Sequence, residues 1–477
     1  MHCHQIRACF LGLLLACSVP RAPISAAEWL QFRGNNATGR AQGARQFPVE
    51  IGPNSSVIWR VAVPPGHSSP VVTERRIFLT GVRDGQLLTI ALDRLKGRPA
   101  WEAEAPHEKL EEIHSIGSYA QATPVSDGDI VVSLFGSAGL FAYDANGVPL
   151  WKVPMGPFNN DFGAAASPII AGDLLILNQD HDTDSFLAAF DKRTGKQVWR
   201  TNRGEFSRNF GTPVLWDNGG RTQIVVAGTL RVIGYDLATG SEAWTVNGLS
   251  RTVCTTPVVG LDGILYVAGW SAGGDAGDRI RVEAFESIIA QVDKDQDGMI
   301  SEDELEGGAI KQRFSQVDRD NDNKLSRDEY EYFRGLFDKT QNVVLAIRPG
   351  AVGDASESHV VWRQEKQVPF CASPLWENDH IFTVRDGGIF ASIDARSGKV
   401  VKQGRLPATD EYYSSPVAAD KKIYLLNQKG KLTVVSAQGT WQVLASADFN
   451  DDVYATPALV DGRIYLRTEH WLYCFGK

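Results

Sequence analysis

Several shortages in this chain each close off a class of function. Only 6 cysteines occur in 477 residues, and three of them (Cys3, Cys9, Cys17) crowd the N-terminus. Cys254, Cys371 and Cys474 remain, an odd number, which excludes a disulfide-stapled scaffold. There is no basic excess: Lys and Arg total 48 against 57 Asp and Glu, a formal charge of −9. That balance argues against a nucleic-acid partner held by neutralising cations. Beyond the N-terminus no apolar run is long enough for a transmembrane segment. The 9 histidines are scattered. Methionine is scarce at 3 while tryptophan is plentiful at 12, a bias that a repeat explains.

The N-terminus reads as a targeting segment. Arg7 precedes the apolar run 8–19, and the small residues Ser25, Ala26 and Ala27 offer a cleavage point before Glu28. A second reading makes Cys17 a lipid anchor, although Leu15 stands where a small residue is expected. Either route exports the chain, to the periplasm or the cell surface.

Ser-Pro or Thr-Pro recurs at Pro70, Pro124, Pro168, Pro213, Pro257, Pro374, Pro416 and Pro457. The gaps are 41–54 residues, except for 117 between Pro257 and Pro374. Each dipeptide is followed by a short apolar strand, a turn, and a second strand. A third strand ending in Asp and a fourth that often begins near Trp complete the unit. Residues 167–200 show it whole, as "SPII", "DLLILN", "FLAAFD", "RTGK" and "QVWR". Four strands at a period near 44 define a β-propeller, in which each sheet buries its faces against its neighbours. Trp101, Trp151, Trp199, Trp244 and Trp362 share one place in the unit, where a flat side chain fills the wedge between blades. The last unit stops one strand short. The missing strand is "VIWRVAV" at 57–63, with Trp59 in the repeat position, so the N-terminal strand closes the ring.

The segments 91–101 ("ALDRLKGRPAW"), 189–199 ("AFDKRTGKQVW") and 234–244 ("GYDLATGSEAW") resemble the A-x-D-x-x-T-G-x-x-x-W motif of PQQ-type propeller repeats. That family includes quinoprotein alcohol dehydrogenases and BamB-type outer-membrane assembly scaffolds. The resemblance covers about residues 57–270 and 342–477 and implies the fold, not an activity. Quinoprotein dehydrogenases of this fold carry adjacent cysteines beside PQQ. This chain has no Cys-Cys and no Cys-x-x-Cys-His haem site, so PQQ is not the expected cofactor.

The long gap holds an insertion. Residues 271–341 read as helical and acidic, and they carry most of the net charge. They split blade five between its second and third strands. Two twelve-residue loops there fit the EF-hand pattern, which supplies oxygens to calcium from positions 1, 3, 5, 7, 9 and 12. The first offers Asp293, Asp295, Asp297, the Met299 carbonyl, Ser301 and Glu304, with Gly298 at the sharp turn. The second offers Asp318, Asp320, Asp322, the Lys324 carbonyl, Ser326 and Glu329, with Asn323 in place of that glycine. Asn tolerates the left-handed backbone the turn needs.

Two other clusters read as structural. Asp180, Asp182 and Asp184 imitate the start of a calcium loop but are read as a hairpin tip. His107, Glu111 and His114 would share one face of a helix at a zinc-compatible spacing, but a solvated face is preferred. The residue three before each repeat Pro falls at the channel mouth: His67, Gln121, Ala165, Phe210, Cys254, Cys371, Tyr413 and Tyr454. Of these, His67, Gln121, Phe210, Tyr413 and Tyr454 are the candidate ligand site. Cys254 and Cys371 hold equivalent places in adjacent blades and are read as free thiols, with a disulfide as the alternative.

The sequence therefore predicts an all-β, eight-bladed propeller of four-stranded blades with a small helical EF-hand pair inserted in blade five. Residues 1–27 are the export signal, 28–270 and 342–477 the propeller, and 271–341 the insertion. The expected role is a calcium-binding, non-catalytic scaffold for a protein partner. The alternative is a PQQ-dependent or carbohydrate-active enzyme with its site at the channel mouth.

Overall fold

The computed structural model describes residues 27–476; the signal segment and the lipid-anchor candidate Cys17 lie outside the described residues. Eight four-stranded antiparallel sheets form the blades of a propeller. Blade one comprises Val71–Val72, Arg76–Arg83, Gln86–Asp93 and Pro99–Ala105, in that order from the axis outward. Blade eight is composite: Ala458–Val460, Arg463–Arg467 and Trp471–Phe475 are completed by Val57–Ala62, with Trp59 opposite Cys474. The predicted closure by the N-terminal strand is therefore the fold's own. Among the described residues no helix is long and apolar enough to cross a membrane.

The repeated Ser-Pro and Thr-Pro dipeptides have a single structural cause. The Ser69 N–H donates to the Thr123 hydroxyl at 2.9 Å, and Thr123 N–H to Ser167 at 2.9 Å. The relay runs on through Thr212 (3.1 Å), Thr256 (3.0 Å), Ser373 (3.0 Å) and Ser415 (3.0 Å). Ser415 N–H then donates to Thr456, and Thr456 N–H returns to the Ser69 hydroxyl, both at 3.0 Å. Every blade thus gives one hydrogen bond to the next, and the circle closes on itself. The following proline fixes φ and has no N–H of its own to satisfy at this crowded inner rim.

The rest of the repeat motif closes the outer part of the wedge. Asp191 accepts the N–H groups of Arg193 and Thr194 and so caps the turn. Gly195 in that turn has φ +72°, and a Cβ there would lie 2.6 Å from the Trp151 ring of the preceding blade. Trp151 Nε1 donates to the Lys192 carbonyl at 3.0 Å. Trp101, Trp199 and Trp362 repeat the arrangement on Ala145, Leu237 and Ala395. Trp244 is likewise buried in the core shared by blades four and five, but its hydrogen bond departs from the pattern. Its Nε1 bonds Gln223 inside its own blade, and its ring meets Trp216 edge-on. The reason lies in blade five, where an excursion replaces the T-G turn and lays Gly353–Asp354 along Trp244 and Thr245. Between blades the core is layered, as where Val71, Phe78 and Ala91 of blade one meet Val131, Phe141 and Tyr143 of blade two.

Residues 29–41, given no role by the sequence pattern, run beneath the inner strands and close the lower end of the channel. Trp29 pairs with Val72, and Leu30 accepts from Ser126. Asn36 exchanges two hydrogen bonds with Leu215, and Gly39 and Ala41 bracket Ala418. This one segment ties blades one, two, four and seven together.

Two outcomes test this account. Thr456→Val removes the acceptor for the buried Ser415 N–H and should cost about 1–3 kcal/mol. It should appear as a lower urea midpoint at unchanged slope, and an unmoved midpoint refutes the relay's role. Gly269 and Val343 are directly paired, so the insertion leaves and rejoins the blade at one rung. Replacing 273–340 by a short Gly-containing turn is accordingly expected to leave a cooperatively folding propeller, checked by its thermal transition.

Candidate calcium loops and channel mouth

The insertion contains α1 (Phe285–Val292), α2 (Gly308–Lys311), α3 (Phe314–Val317) and α4 (Arg327–Lys339). They close over a small core of Phe285, Ile300, Phe314, Val317, Leu325 and Phe337. The two loops are held back to back by Ile300 paired with Leu325 and Ser301 with Lys324. In each loop the first Asp caps the turn: Asp293 accepts from Gly298 N–H and Asp318 from Asn323 N–H, both at 3.0 Å. Asn323 takes φ 65° against 83° for Gly298, so the substituted turn keeps its shape.

The donor set fits a hard cation. Asp293, Asp295 and Asp297 converge within 4.8 Å, and so do Asp318, Asp320 and Asp322. Asp293 Oδ1 and Asp318 Oδ1 are buried without a hydrogen-bond partner, one orphaned oxygen per loop at the position that calcium would occupy. Glu304 folds back onto Ser301 N–H and Lys294 N–H, which with the Ser301 hydroxyl hold its carboxyl down at about 2. Glu329 repeats the fold on Arg319 N–H and on Ser326 N–H and hydroxyl. Burial raises the Asp318 carboxyl above the usual range. One feature escapes sequence reasoning. The Lys324 ammonium pairs with Asp297 and lies 3.5 Å from Asp295, so it is a built-in rival cation for loop one.

The other acidic run is a hairpin tip as expected, between the paired residues Gln179 and Phe186, and two of its carboxylates have arginine partners. Asp180 is buried in a two-pronged pair with Arg203 at 2.8 Å. Asp182 is paired likewise with Arg208 at 2.6 Å, while Asp184 is exposed. The arginines come from the connection between blades three and four, which no local pattern reveals. His107, Glu111 and His114 form no helix: Glu111 caps Ser137 N–H, His114 packs on Phe162, and His107 turns to the Ala105 carbonyl.

The insertion is docked on the propeller by polar contacts. Arg319, second residue of loop two, donates to the Asp182 carbonyl at 3.2 Å and the Gly204 carbonyl at 2.7 Å. Tyr332 hydroxyl reaches Glu205, and Phe337 lies 4.9 Å from the Arg251 guanidinium. Docking sets the region before loop two over the channel mouth. There a cavity of about 440 Å³ is lined by all eight positions that precede the repeat prolines. Phe32 of the N-terminal segment and the Ser/Thr relay form its floor; Arg313 and Gln316 of the insertion overhang it. His67 stacks on Tyr454 at 3.8 Å, Tyr454 meets Tyr413, and Phe210 meets Phe162. Burial, with Arg467 nearby, pushes His67 down to about 3, so it is neutral at pH 7. The Cys254 and Cys371 thiols are free and face each other at this mouth, and that proximity and burial raise the Cys371 thiol.

An eight-bladed propeller of this motif, carrying an EF hand, defines the class. The chain belongs to the family of outer membrane protein assembly factor BamB, whose profile matches residues 52–179, 117–273 and 311–475. An EF-hand profile matches residues 285–307. Among curated proteins none matches the sequence. Among solved structures, BamB from Moraxella catarrhalis is similar at 13% identity and TM-score 0.56, covering 88% of this chain and 99% of its own. Quinohemoprotein alcohol dehydrogenase from Comamonas testosteroni is similar at 12% identity and TM-score 0.54, covering 94% and 81%. The designed Ika8 protein is similar at 9% identity and TM-score 0.55, covering 91% and 100%. These likenesses concern the fold alone.

Glu304→Gln and Glu329→Gln should each weaken calcium binding to their own loop by at least about ten-fold, roughly 1.4 kcal/mol. Lys324→Met should tighten loop one by removing its rival cation. Titration calorimetry reads all three, and no calcium uptake at millimolar concentration refutes the assignment.

Proposed function

We propose that this protein is an exported calcium-binding scaffold of the cell envelope that holds a protein partner on its rim and catalyses no reaction. The observation that carries the reading is the outer surface of blades five to eight. The fourth strand of each of these blades is an open sheet edge, and the four together carry the exposed apolar residues Val361, Val400, Val401, Val443, Leu444 and Ile58, against one each, Leu150 and Val198, on blades two and three. An open edge with apolar side chains is the surface on which an extended segment of another protein adds a strand. Blade four is different, because Gly353–Asp354 already covers its outer strand. Membership of an assembly-factor family supports the same role. The EF-hand pair then serves to order the insertion in calcium-rich surroundings.

A second reading, an enzyme working at the channel mouth, draws support from the aromatic-lined cavity and from Cys254 and Cys371 meeting there. Two cysteines distant in sequence thus share one place, although they are not neighbours in the chain. Incubating the protein with PQQ and looking for bound chromophore separates the readings; a stoichiometric chromophore favours the enzyme.

The scaffold is tested by affinity capture from envelope extracts, with calcium and with chelator. Val400→Lys with Val443→Lys should abolish capture of the same envelope protein while leaving the melting temperature unchanged. Capture indifferent to these changes, or no partner specific to the wild type, overturns the scaffold reading.

A further inference from the structure

The channel mouth has a charge pattern that the fold does not require. In a chain of net charge −9, three arginines (Arg208, Arg251 and Arg313) line the cavity and no Asp or Glu does. Arg208 is answered by Asp182 and Asp161. The other two are not: among the described residues neither Arg251 nor Arg313 makes an ion pair. Both stack on Phe337, at 4.9 and 5.8 Å, which explains where their planes lie. Stacking leaves the N–H donors unused, and Arg251 Nε is buried with no acceptor at all. Arg313 donates only to the neighbouring Ala309 carbonyl and, at 3.5 Å, to Gln312. Burial and the adjoining Arg313 and Arg208 cations push Arg251 down to about 10.

Two partly buried cations bracketing one ring without an anion repel each other, and an anion between them would relieve that repulsion. Two further carboxylates bond to residues of or beside the wall and do not line the cavity. Glu411 accepts from the Tyr413 hydroxyl at 2.9 Å, and Asp386 accepts from Tyr412 N–H at 2.9 Å. The remaining lining is aromatic or small: Trp270 and Phe370 meet edge-on at 5.1 Å, opposite the His67–Tyr454 stack. Guanidinium groups present forked donors suited to carboxylate and phosphate, and ring walls suit a flat apolar body.

We propose that the mouth binds a small organic anion, a carboxylate or phosphate carried on a ring, between Arg251 of the propeller and Arg313 of the insertion. The insertion thus completes a site that the blades leave open on one side. The inference rests on the mouth as a ligand site and is independent of the rim, so loss of partner capture and loss of anion binding are separate results.

Calorimetry on the calcium-loaded full protein tests it, with Trp270 fluorescence as a second signal. The probes are phthalate, benzene-1,3,5-tricarboxylate, phenyl phosphate, inorganic phosphate and the neutral benzene-1,3,5-tricarboxamide. At least one ring anion should bind with submillimolar affinity, and the triamide at least ten-fold more weakly. Arg313→Gln, on the insertion's surface, and Arg251→Gln should each cost ten-fold or more at unchanged melting temperature. Should Arg251→Gln not fold, Arg313→Gln decides alone. Inorganic phosphate binding as well as the ring anions overturns the apolar part of the site. Equal binding of the triamide, undiminished affinity in Arg313→Gln, or no ring anion bound at millimolar concentration overturns the proposal.

Discussion

The closed relay of hydroxyl-to-amide hydrogen bonds around the inner rim is the constraint on which the rest of the molecule depends. Each link joins one blade to the next, so no blade can shift radially without breaking two of them. A buried link is worth only about 0.5–1.5 kcal/mol when made, but a buried amide left unpaired costs more. That asymmetry favours the whole circle over any partial one. It also explains why closure must recruit Val57–Ala62 from the far end of the chain. A ring missing one outer strand would leave Trp471–Phe475 as an open edge and lose the packing of Trp59 on blade one.

Because the ring fixes the inner rim, it also fixes what stands at the mouth. The residue three before each repeat proline enters the mouth whatever its identity, so eight such positions form a wall whose chemistry is free to vary. The insertion uses the same geometry. It leaves the hairpin between the second and third strands of blade five, whose turn lies at the same end as the connections between blades. The mouth cavity and the EF-hand loops therefore share one end of the propeller, and the lower end is given over to residues 29–41.

What the sequence disclosed follows a physical division. Ser/Thr-Pro, Asp, T-G and Trp repeat because each blade meets its neighbour in the same way, so their function is written at a fixed spacing. The EF-hand loops are likewise local: twelve consecutive residues hold the ligands, and even Asn323 for glycine could be judged from its backbone tolerance. The misses are all contacts between segments far apart in the chain. Arg203 and Arg208 neutralise Asp180 and Asp182, Arg33 reaches the Pro374 carbonyl, and the Lys324 ammonium answers loop one from loop two. The hydrogen bond of Trp244 differs for the same reason, since its partner turn is altered in another blade. The lack of a carboxylate partner at Arg251 and Arg313 belongs here too, because only the folded chain shows which arginines have found one.

Those long-range contacts change how calcium must be thought of in this molecule. From the ligands alone, all within the insertion, calcium would order the insertion and leave the blades untouched. The geometry separates the two loops instead. Loop one faces solvent, and its side-chain contacts go to the insertion's own residues, Lys324 among them. Loop two begins at Asp318, and its next residue, Arg319, holds the Asp182 and Gly204 carbonyls of the propeller. Asp182 in turn fixes Arg208, which lines the mouth and contacts the Ser315 carbonyl just before the loop. A cation drawing Asp318, Asp320, Asp322 and Glu329 together therefore acts on the residue between Asp318 and Asp320. That residue is already bonded to the wall of the cavity. Loop one lacks such a strut, so the two sites, alike in sequence, are unequal in what they can transmit.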